Sequence, residues 1–231
     1  FSHWLASRAA HAPPAATLLR PEGVITSSYQ RRDEVERAHP ERAAALLEDL
    51  GRWGATVLHG VDARRLHADE AAGVAQALAL APGALVWHFP FAGDDQLASD
   101  HEEMLRRFFF SAMLCAVGRG TMLLCEVHVT LRPFDVSRWA VLPAAEASHF
   151  WLRSVHAFDP GSSRTARGQG ATVPHYTPRC NDTDSGFDIS DAFTYVFSFD
   201  GARVQQAAAM AARQTLSVTE LQALRQVSAS V

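Results

Sequence analysis

The sequence predicts an α/β protein with a mostly parallel, doubly wound sheet. Strand-like runs alternate along the chain with helical patterns, as they do in successive β-α-β units. The run Ala84–Phe89 is apolar at nearly every position, which is typical of a strand buried on both faces of a sheet. Two late strands joined by a long polar segment favour an antiparallel hairpin that closes one edge of this sheet.

In the first half of the chain, strands alternate with amphipathic helices. Leu46, Leu47 and Leu50 recur at helical spacing and predict a helix over Arg31–Trp53, which Pro40 is expected to divide. The predicted strands are Gly23–Tyr29, Ala55–Leu58 and Ala84–Phe89. The predicted helices are Ser2–Ala12, Arg31–Trp53 and Ala63–Leu80.

The second half of the chain continues the alternation and ends in a helical tail. Leu105, Phe108 and Met113 predict a strong helix over Asp100–Val117, and the Gly, Ser and Thr content of Asp159–Asp191 predicts a long loop. The remaining predicted elements are strands at Leu123–Leu131, Phe150–Phe158 and Ala192–Phe199, and helices at Val136–Ala147 and within Val204–Val227. We therefore expect one domain over residues 1–199 and a helical extension over residues 200–231.

The composition narrows the class of protein. The 231 residues carry a net charge of -4 and no lysine, so any contact with RNA needs a local arginine patch or a partner. Three cysteines without a CxxC pair exclude a disulfide scaffold and suit a reducing, intracellular compartment. No apolar run reaches the length of a membrane span, and no HxH or HExxH pattern indicates a metal site.

Polar and aromatic residues gather where the predicted strands end. In open α/β sheets, ligands bind beyond the carboxyl ends of the strands. The segments at these ends are Ser27–Tyr29, His59–Ala63, His88–Phe91 and Thr130–Pro133. We therefore expect the functional site at this edge.

Several uncommon motifs follow one another along residues 1–199. They are Phe1-Ser2, Ile25–Tyr29, Val57–Leu66, Trp87–Gly93, Leu105–Ala112, Cys125–Leu131, Trp139, Phe158-Asp159-Pro160 and Thr194–Phe197. In type and order they resemble the family of large-subunit rRNA uridine-N3 methyltransferases. The resemblance implies a Rossmann-like class I methyltransferase fold that uses S-adenosylmethionine, with the glycine-rich cofactor loop expected upstream of Phe1.

The resemblance assigns cofactor binding to residues at the first two strand ends, namely Ser28, Tyr29, Asp62 and Ala63. The Asp62 carboxylate could accept a hydrogen bond from an adenine amino group, or it could cap the helix that begins at Ala63. Tyr29 could pack on a ribose or adenine face, or it could be a core aromatic. These alternatives are open at the level of sequence.

The segment after the third strand is the predicted place of methyl transfer. Pro90 fixes the backbone there, and Phe89 and Phe91 could stack on a flipped base. A neutral His88 is the candidate base for the proton of uridine N3. Arg132 is a candidate substrate contact. With the other arginines of the second half it forms either an RNA-facing edge or a set of scattered solvated charges. These others are Arg138, Arg153, Arg164, Arg167 and Arg179.

Two departures from the family pattern keep a second hypothesis open. His88 stands where the family has asparagine, and Phe91 stands where it has histidine. The first hypothesis is an rRNA methyltransferase, and the second is a degenerate relative that has lost the cofactor and serves as an assembly factor or subunit of a ribosome or mitoribosome. The expected partners are ribosomal RNA and ribosomal or pre-ribosomal proteins, in the nucleolus or the mitochondrion. A third hypothesis is methyl transfer to a different small substrate.

Overall fold

The computed structural model describes residues 24–40, 42–67, 74, 84–92, 97–117, 126–158 and 188–202. Its strands are β1 (Ile25–Ser28), β2 (Thr56–His59), β3 (Ala84–His88), β4 (Glu126–Leu131), β5 (Phe150–Ala157) and β6 (Phe193–Phe199). Its helices are α1 (Arg32–Ala38), α2 (Ala43–Arg52), α3 (Ala98–Val117), α4 (Pro133–Arg138) and α5 (Val141–Ala147), with a 3-10 helix at Ala63–Arg65. The predicted mixed α/β class is confirmed.

The described strands form two sheets. Strands β1 and β2 pair in parallel, and the second sheet has the order β3-β4-β6-β5. In this second sheet β3 and β4 are parallel neighbours, and β6 is antiparallel to both β4 and β5, so β5 runs in the same direction as β3 and β4. The antiparallel β5–β6 hairpin is confirmed. The expected mostly parallel arrangement agrees with these directions, since β6 is the one reversed strand among the described strands. The described strands form two sheets, so the single doubly wound sheet stays a prediction.

The main core lies between one face of the four-stranded sheet and helices α3, α4 and α5. Phe109 of α3 is fully buried, with its ring centroid 5.1 Å from that of Phe197 and 5.7 Å from that of Phe150. Val127 and Val129 of β4 meet the same cluster. The alternate residues of a strand point to the opposite face. That second face therefore carries polar side chains, which include Glu126 and His128.

The helices differ from their predicted bounds at two places for local reasons. Pro40 divides the predicted Arg31–Trp53 helix into α1 and α2, as expected. The predicted Val136–Ala147 helix is wrong, because two helices occupy the region. Ala140 adopts φ 48°, a left-handed conformation that interrupts the helical path, and Pro133 begins α4 with a φ suited to a first turn.

Other predicted elements fall wholly or partly outside the described residues. They are the Ser2–Ala12 helix, most of the Ala63–Leu80 helix, the first three residues of the Leu123–Leu131 strand, most of the Asp159–Asp191 loop, and the Val204–Val227 segments. The division at residue 199 stays a prediction. Among the described residues, no helix has the length and hydropathy that crossing a bilayer requires.

Candidate functional site at the strand ends

The ends of β1 and β2 are joined by backbone hydrogen bonds. Ser28 lies opposite His59, and the amide of Val61 donates to the Ser28 carbonyl over 3.0 Å. The amide of Gly60 donates to the Gln30 carbonyl over 3.1 Å. Gly60 has φ +72°, which glycine adopts without strain, and a Cβ built there meets nothing within 4 Å. The two strand ends thus form one fixed, open rim.

Ser28 and Tyr29 have different positions on this rim. The Ser28 hydroxyl donates to the Gln30 carbonyl over 2.6 Å and lies 3.3 Å from His59 Nδ1, so it shapes the turn. The Tyr29 side chain is 71% exposed, and its ring centroid is 5.9 Å from the guanidinium carbon of Arg64. The alternative that Tyr29 is a core aromatic is therefore wrong, and its role in cofactor binding stays a prediction.

The Asp62 carboxylate is held by Arg64. The Arg64 amide and Nε each donate to Oδ1 over 2.9 Å, while Nε and a terminal nitrogen of the same guanidinium reach Oδ2 over 3.1 and 2.8 Å. Because Nε carries a single hydrogen, three N–H groups of Arg64 make these four contacts, and they engage both oxygens of a carboxylate that can accept about four hydrogen bonds. Hydrogen bonding from the Arg64 side chain lowers the pKa of Asp62 despite partial burial.

Asp62 also caps the 3-10 helix, as one of the two sequence-based alternatives expected. Its side chain accepts the amide of Arg64, while Ala63 begins the helix and packs against the main core. Capping uses only one of the four contacts. The three contacts from the guanidinium are additional to it, so a ligand that needs the carboxylate competes with Arg64.

Replacing Arg64 with alanine is expected to strengthen the binding of an adenosine-containing ligand about two- to fivefold. The variant keeps the backbone amide that caps Asp62 but removes an exposed ion pair worth about 0.2 to 1 kcal/mol. Titration calorimetry with S-adenosylhomocysteine measures the change. Arg52→Ala, which removes an exposed ion-paired arginine of α2, is the matched control and should leave the affinity unchanged. Weaker binding by Arg64→Ala would contradict the prediction and make Arg64 a ligand contact.

The turn after β3 is strained and tightly held. Phe89 has φ 51°, a left-handed conformation that costs a bulky residue about 1 to 3 kcal/mol. Its amide donates to the Thr130 carbonyl over 2.9 Å, which ties the end of β3 to the end of β4. Pro90 is fully buried behind it, whereas Phe91 is 40% exposed. The turn thus leaves the Phe91 ring partly exposed beyond the end of β3.

A buried histidine, His101 of α3, holds the far side of this turn. Its Nε2 accepts the amide of Ala92 over 3.3 Å, and its Nδ1 donates to the Leu97 carbonyl over 3.1 Å. Because a carbonyl can only accept, Nδ1 carries the proton and the ring is neutral. The ring stacks on Trp139 with centroids 4.1 Å apart and an interplanar angle of 16°, and it contacts Phe91 at 5.3 Å.

His88 lies on the polar face of the four-stranded sheet. Its neighbour Trp87 packs against the main core, so the His88 side chain points the other way. The ring of Phe158 lies 5.3 Å from the His88 ring and 5.5 Å from the Phe89 ring. Burial, with a smaller contribution from His128, lowers the pKa of His88 to about 3. The imidazole is therefore neutral at physiological pH and a weak base.

The predicted arginine contacts have intramolecular partners. Arg132 forms a fork with the buried carboxylate of Asp135, over 2.7 and 3.2 Å. Arg153 pairs with Glu126, which also receives His128 Nε2 at 2.8 Å. Arg138 rests on the ring of Phe134, 5.8 Å from its centroid. The other predicted arginines, Arg164, Arg167 and Arg179, lie outside the described residues.

Helix α3 connects the two halves of the candidate site. Near its middle, Ser111 receives the amide of His67 just after the 3-10 helix, over 3.1 Å, and near its start His101 holds the turn after β3. Ten residues of helix separate these anchors, which is about 15 Å along the axis. The described residues contain no group of three or more metal-ligating side chains arranged to hold an ion.

The fold and this edge define a class: an α/β protein with its candidate ligand site where neighbouring parallel strands end. The comparison with known families then identifies the chain more closely. It belongs to the BMT5-like family, described as rRNA (uridine-N3-)-methyltransferase BTM5-like, whose model matches residues 1–163. The resemblance stated from the motifs is confirmed. No curated protein and no solved structure matches the chain significantly.

Proposed function

We propose that the protein transfers a methyl group from S-adenosylmethionine to N3 of a uridine in ribosomal RNA. Membership of a family of rRNA uridine-N3 methyltransferases is the observation that carries this proposal. The strained turn after β3 supports it, because backbone strain in a non-glycine residue is retained where surrounding structure enforces it, often at functional sites.

The rim formed by β1 and β2 fits the adenosine part of the methyl donor. Tyr29 offers an exposed aromatic face, and the space beside Gly60 is open. Asp62 offers a carboxylate for an amino or hydroxyl group once Arg64 releases it. When bound, S-adenosylmethionine supplies an electrophilic methyl group on a sulfonium. The residues of this rim bind the methyl donor and orient its methyl group, and they exchange no proton with it.

The turn after β3 is the proposed seat of the target base. Phe89 and Phe91 supply aromatic faces for a flipped uracil, and Pro90 fixes the backbone between them. With a pKa of about 3, His88 accepts a hydrogen bond readily but holds a proton poorly. We therefore assign His88 the role of orienting the uracil by accepting a hydrogen bond from N3–H. The N3 proton itself leaves to solvent. Alignment of the nitrogen with the methyl group supplies most of the remaining rate.

A second function has a specific observation in its favour. Arg64 engages both oxygens of the Asp62 carboxylate, and His88 is a weak base, as expected if the cofactor site is no longer used. In this alternative the protein retains the fold and binds rRNA or ribosomal proteins during ribosome assembly. It predicts RNA binding without methyl transfer.

Titration of S-adenosylmethionine into the full chain is expected to show saturable binding, weakened about tenfold in Asp62→Ala through loss of a charge-assisted hydrogen bond. Asp49→Ala, which removes an ion-paired carboxylate from α2, is the matched control and should bind as the wild type does. Mass spectrometry of rRNA fragments incubated with the protein and the donor should detect N3-methyluridine. Absence of saturable binding would contradict the use of S-adenosylmethionine as cofactor. Binding of S-adenosylmethionine without formation of N3-methyluridine would favour the assembly function.

A further inference from the structure

An exposed aromatic ring stands beside the candidate seat of the target base. Phe134 lies in the first turn of α4, two residues after Arg132, and its side chain is 68% exposed. A phenyl ring this open has little role in packing. Its neighbours on the exposed face of α4 are Pro133 and Ser137, so no carboxylate lies on that face.

The Arg138 guanidinium lies against the Phe134 ring. The guanidinium carbon of Arg138 lies 5.8 Å from the Phe134 ring centroid, one helical turn further along α4. The one acidic residue of α4, Asp135, is buried and paired with Arg132. The exposed part of α4 therefore combines an aromatic face with positive charge, which is the chemistry that binds single-stranded nucleic acid.

The Phe134 ring and the turn after β3 belong to one connected unit. The end of β4, just before α4, accepts the amide of Phe89. At the other end of α4, the buried Trp139 stacks on His101, which holds the turn and contacts Phe91. Since both ends of α4 are fixed to the turn, Phe91 and Phe134 are presented at a set spacing on the same edge of the sheet.

We infer that Phe134 and Arg138 form a stacking platform for an unpaired RNA base next to the base that enters the turn. The inference rests on the proposed function, because that function makes RNA the substrate. Phe134 would hold the RNA strand beside the target base. Stacking on an aromatic side chain tolerates any base, so the platform contributes affinity for unpaired strands and little sequence preference.

The test measures RNA binding without the methyl donor, so that it is separate from catalysis. Fluorescence anisotropy with a labelled oligouridine of roughly 12 nucleotides should show about tenfold weaker binding by Phe134→Ala, and near wild-type binding by Phe134→Trp. Leu142→Ala removes another exposed apolar side chain, 43% exposed on α5, and should have no effect. Arg138→Gln should weaken binding and reduce its dependence on salt.

Three results overturn the platform. Wild-type affinity in Phe134→Ala would show that RNA does not use the ring, and the proposed methyl transfer would be untouched by that result. Loss of binding to a ribosomal protein, with RNA binding intact, would assign the ring to a protein partner instead. If the wild type binds no RNA in this assay, both the platform and the rRNA substrate are overturned. If no methyl transfer is detected but Phe134→Ala still weakens RNA binding, only the catalytic proposal is overturned.

Discussion

Replacing His101 with alanine is expected to lower the free energy of unfolding by about 3 kcal/mol. The ring is fully buried and stacked on Trp139, so truncation leaves a cavity, and such truncations cost about 2 to 5 kcal/mol. The amide of Ala92 and the carbonyl of Leu97 also lose a buried partner. Because His101 holds the turn after β3, methyl transfer should fall with stability.

Urea denaturation measures the stability, and hydrogen exchange at the Ala92 amide reports on the turn. His101→Phe separates the effect of the cavity from the effect of the lost hydrogen bonds, since it keeps a stacked ring but removes both hydrogen bonds. It should lower the free energy of unfolding by about 1 to 3 kcal/mol. His156→Ala, an exposed histidine of β5, is the control and should change stability by less than about 0.5 kcal/mol. Equal protection of Ala92 in His101→Phe and the wild type would show that the buried bonds do not hold the turn.

Acidification from pH 7 to pH 5 is expected to cost the wild type about 2 kcal/mol of stability through His88 alone. Burial depresses the pKa of His88 in the folded state from 6.5 to about 3. Between about pH 6.5 and pH 3, His88 therefore binds a proton in the unfolded chain but not in the folded chain. The unfolded state binds more protons across this window, so stability falls as the pH falls, until the pH reaches about 3.

His88→Gln removes this contribution. The free energy of unfolding of each protein, measured at both pH values, gives the loss on acidification, and that loss should be about 2 kcal/mol smaller in His88→Gln than in the wild type. Other titrating groups contribute alike to both proteins and cancel in the comparison. If His88→Gln and the wild type respond identically, His88 is solvated in the folded protein and free to act as an ordinary base.

Sequence reasoning succeeded where a feature is encoded by neighbouring residues. Helix α3 begins within two residues of its predicted start, because its apolar residues recur at helical spacing. The turn after β3 was expected from Pro90, and the break between α1 and α2 from Pro40. Asp62 was expected to cap a helix because its type and place fit that role, and the structure confirms it.

The features that the sequence did not predict depend on contacts between distant segments. His101 stands in a run of charged residues at the start of α3, where a histidine is expected to face solvent. Its burial becomes clear only when Ala92 and Trp139 are brought to it. Phe158 follows β5 but packs on His88 at the end of β3. Arg64 is close to Asp62 in sequence, yet nothing local shows that it engages both oxygens of the carboxylate.

The place of β6 between β4 and β5 sets an order of events for folding. Val127 of β4 pairs with Phe197, about 70 residues further along the chain, so this pairing closes a long loop. During synthesis, β5 leaves the ribosome before its only described neighbour in the sheet exists. Until β6 arrives, β4 presents an edge of unpaired backbone N–H and C=O groups that other chains can join. The nascent protein therefore needs shielding from aggregation over that interval, and slow release of the carboxyl-terminal third should lower the yield of native protein.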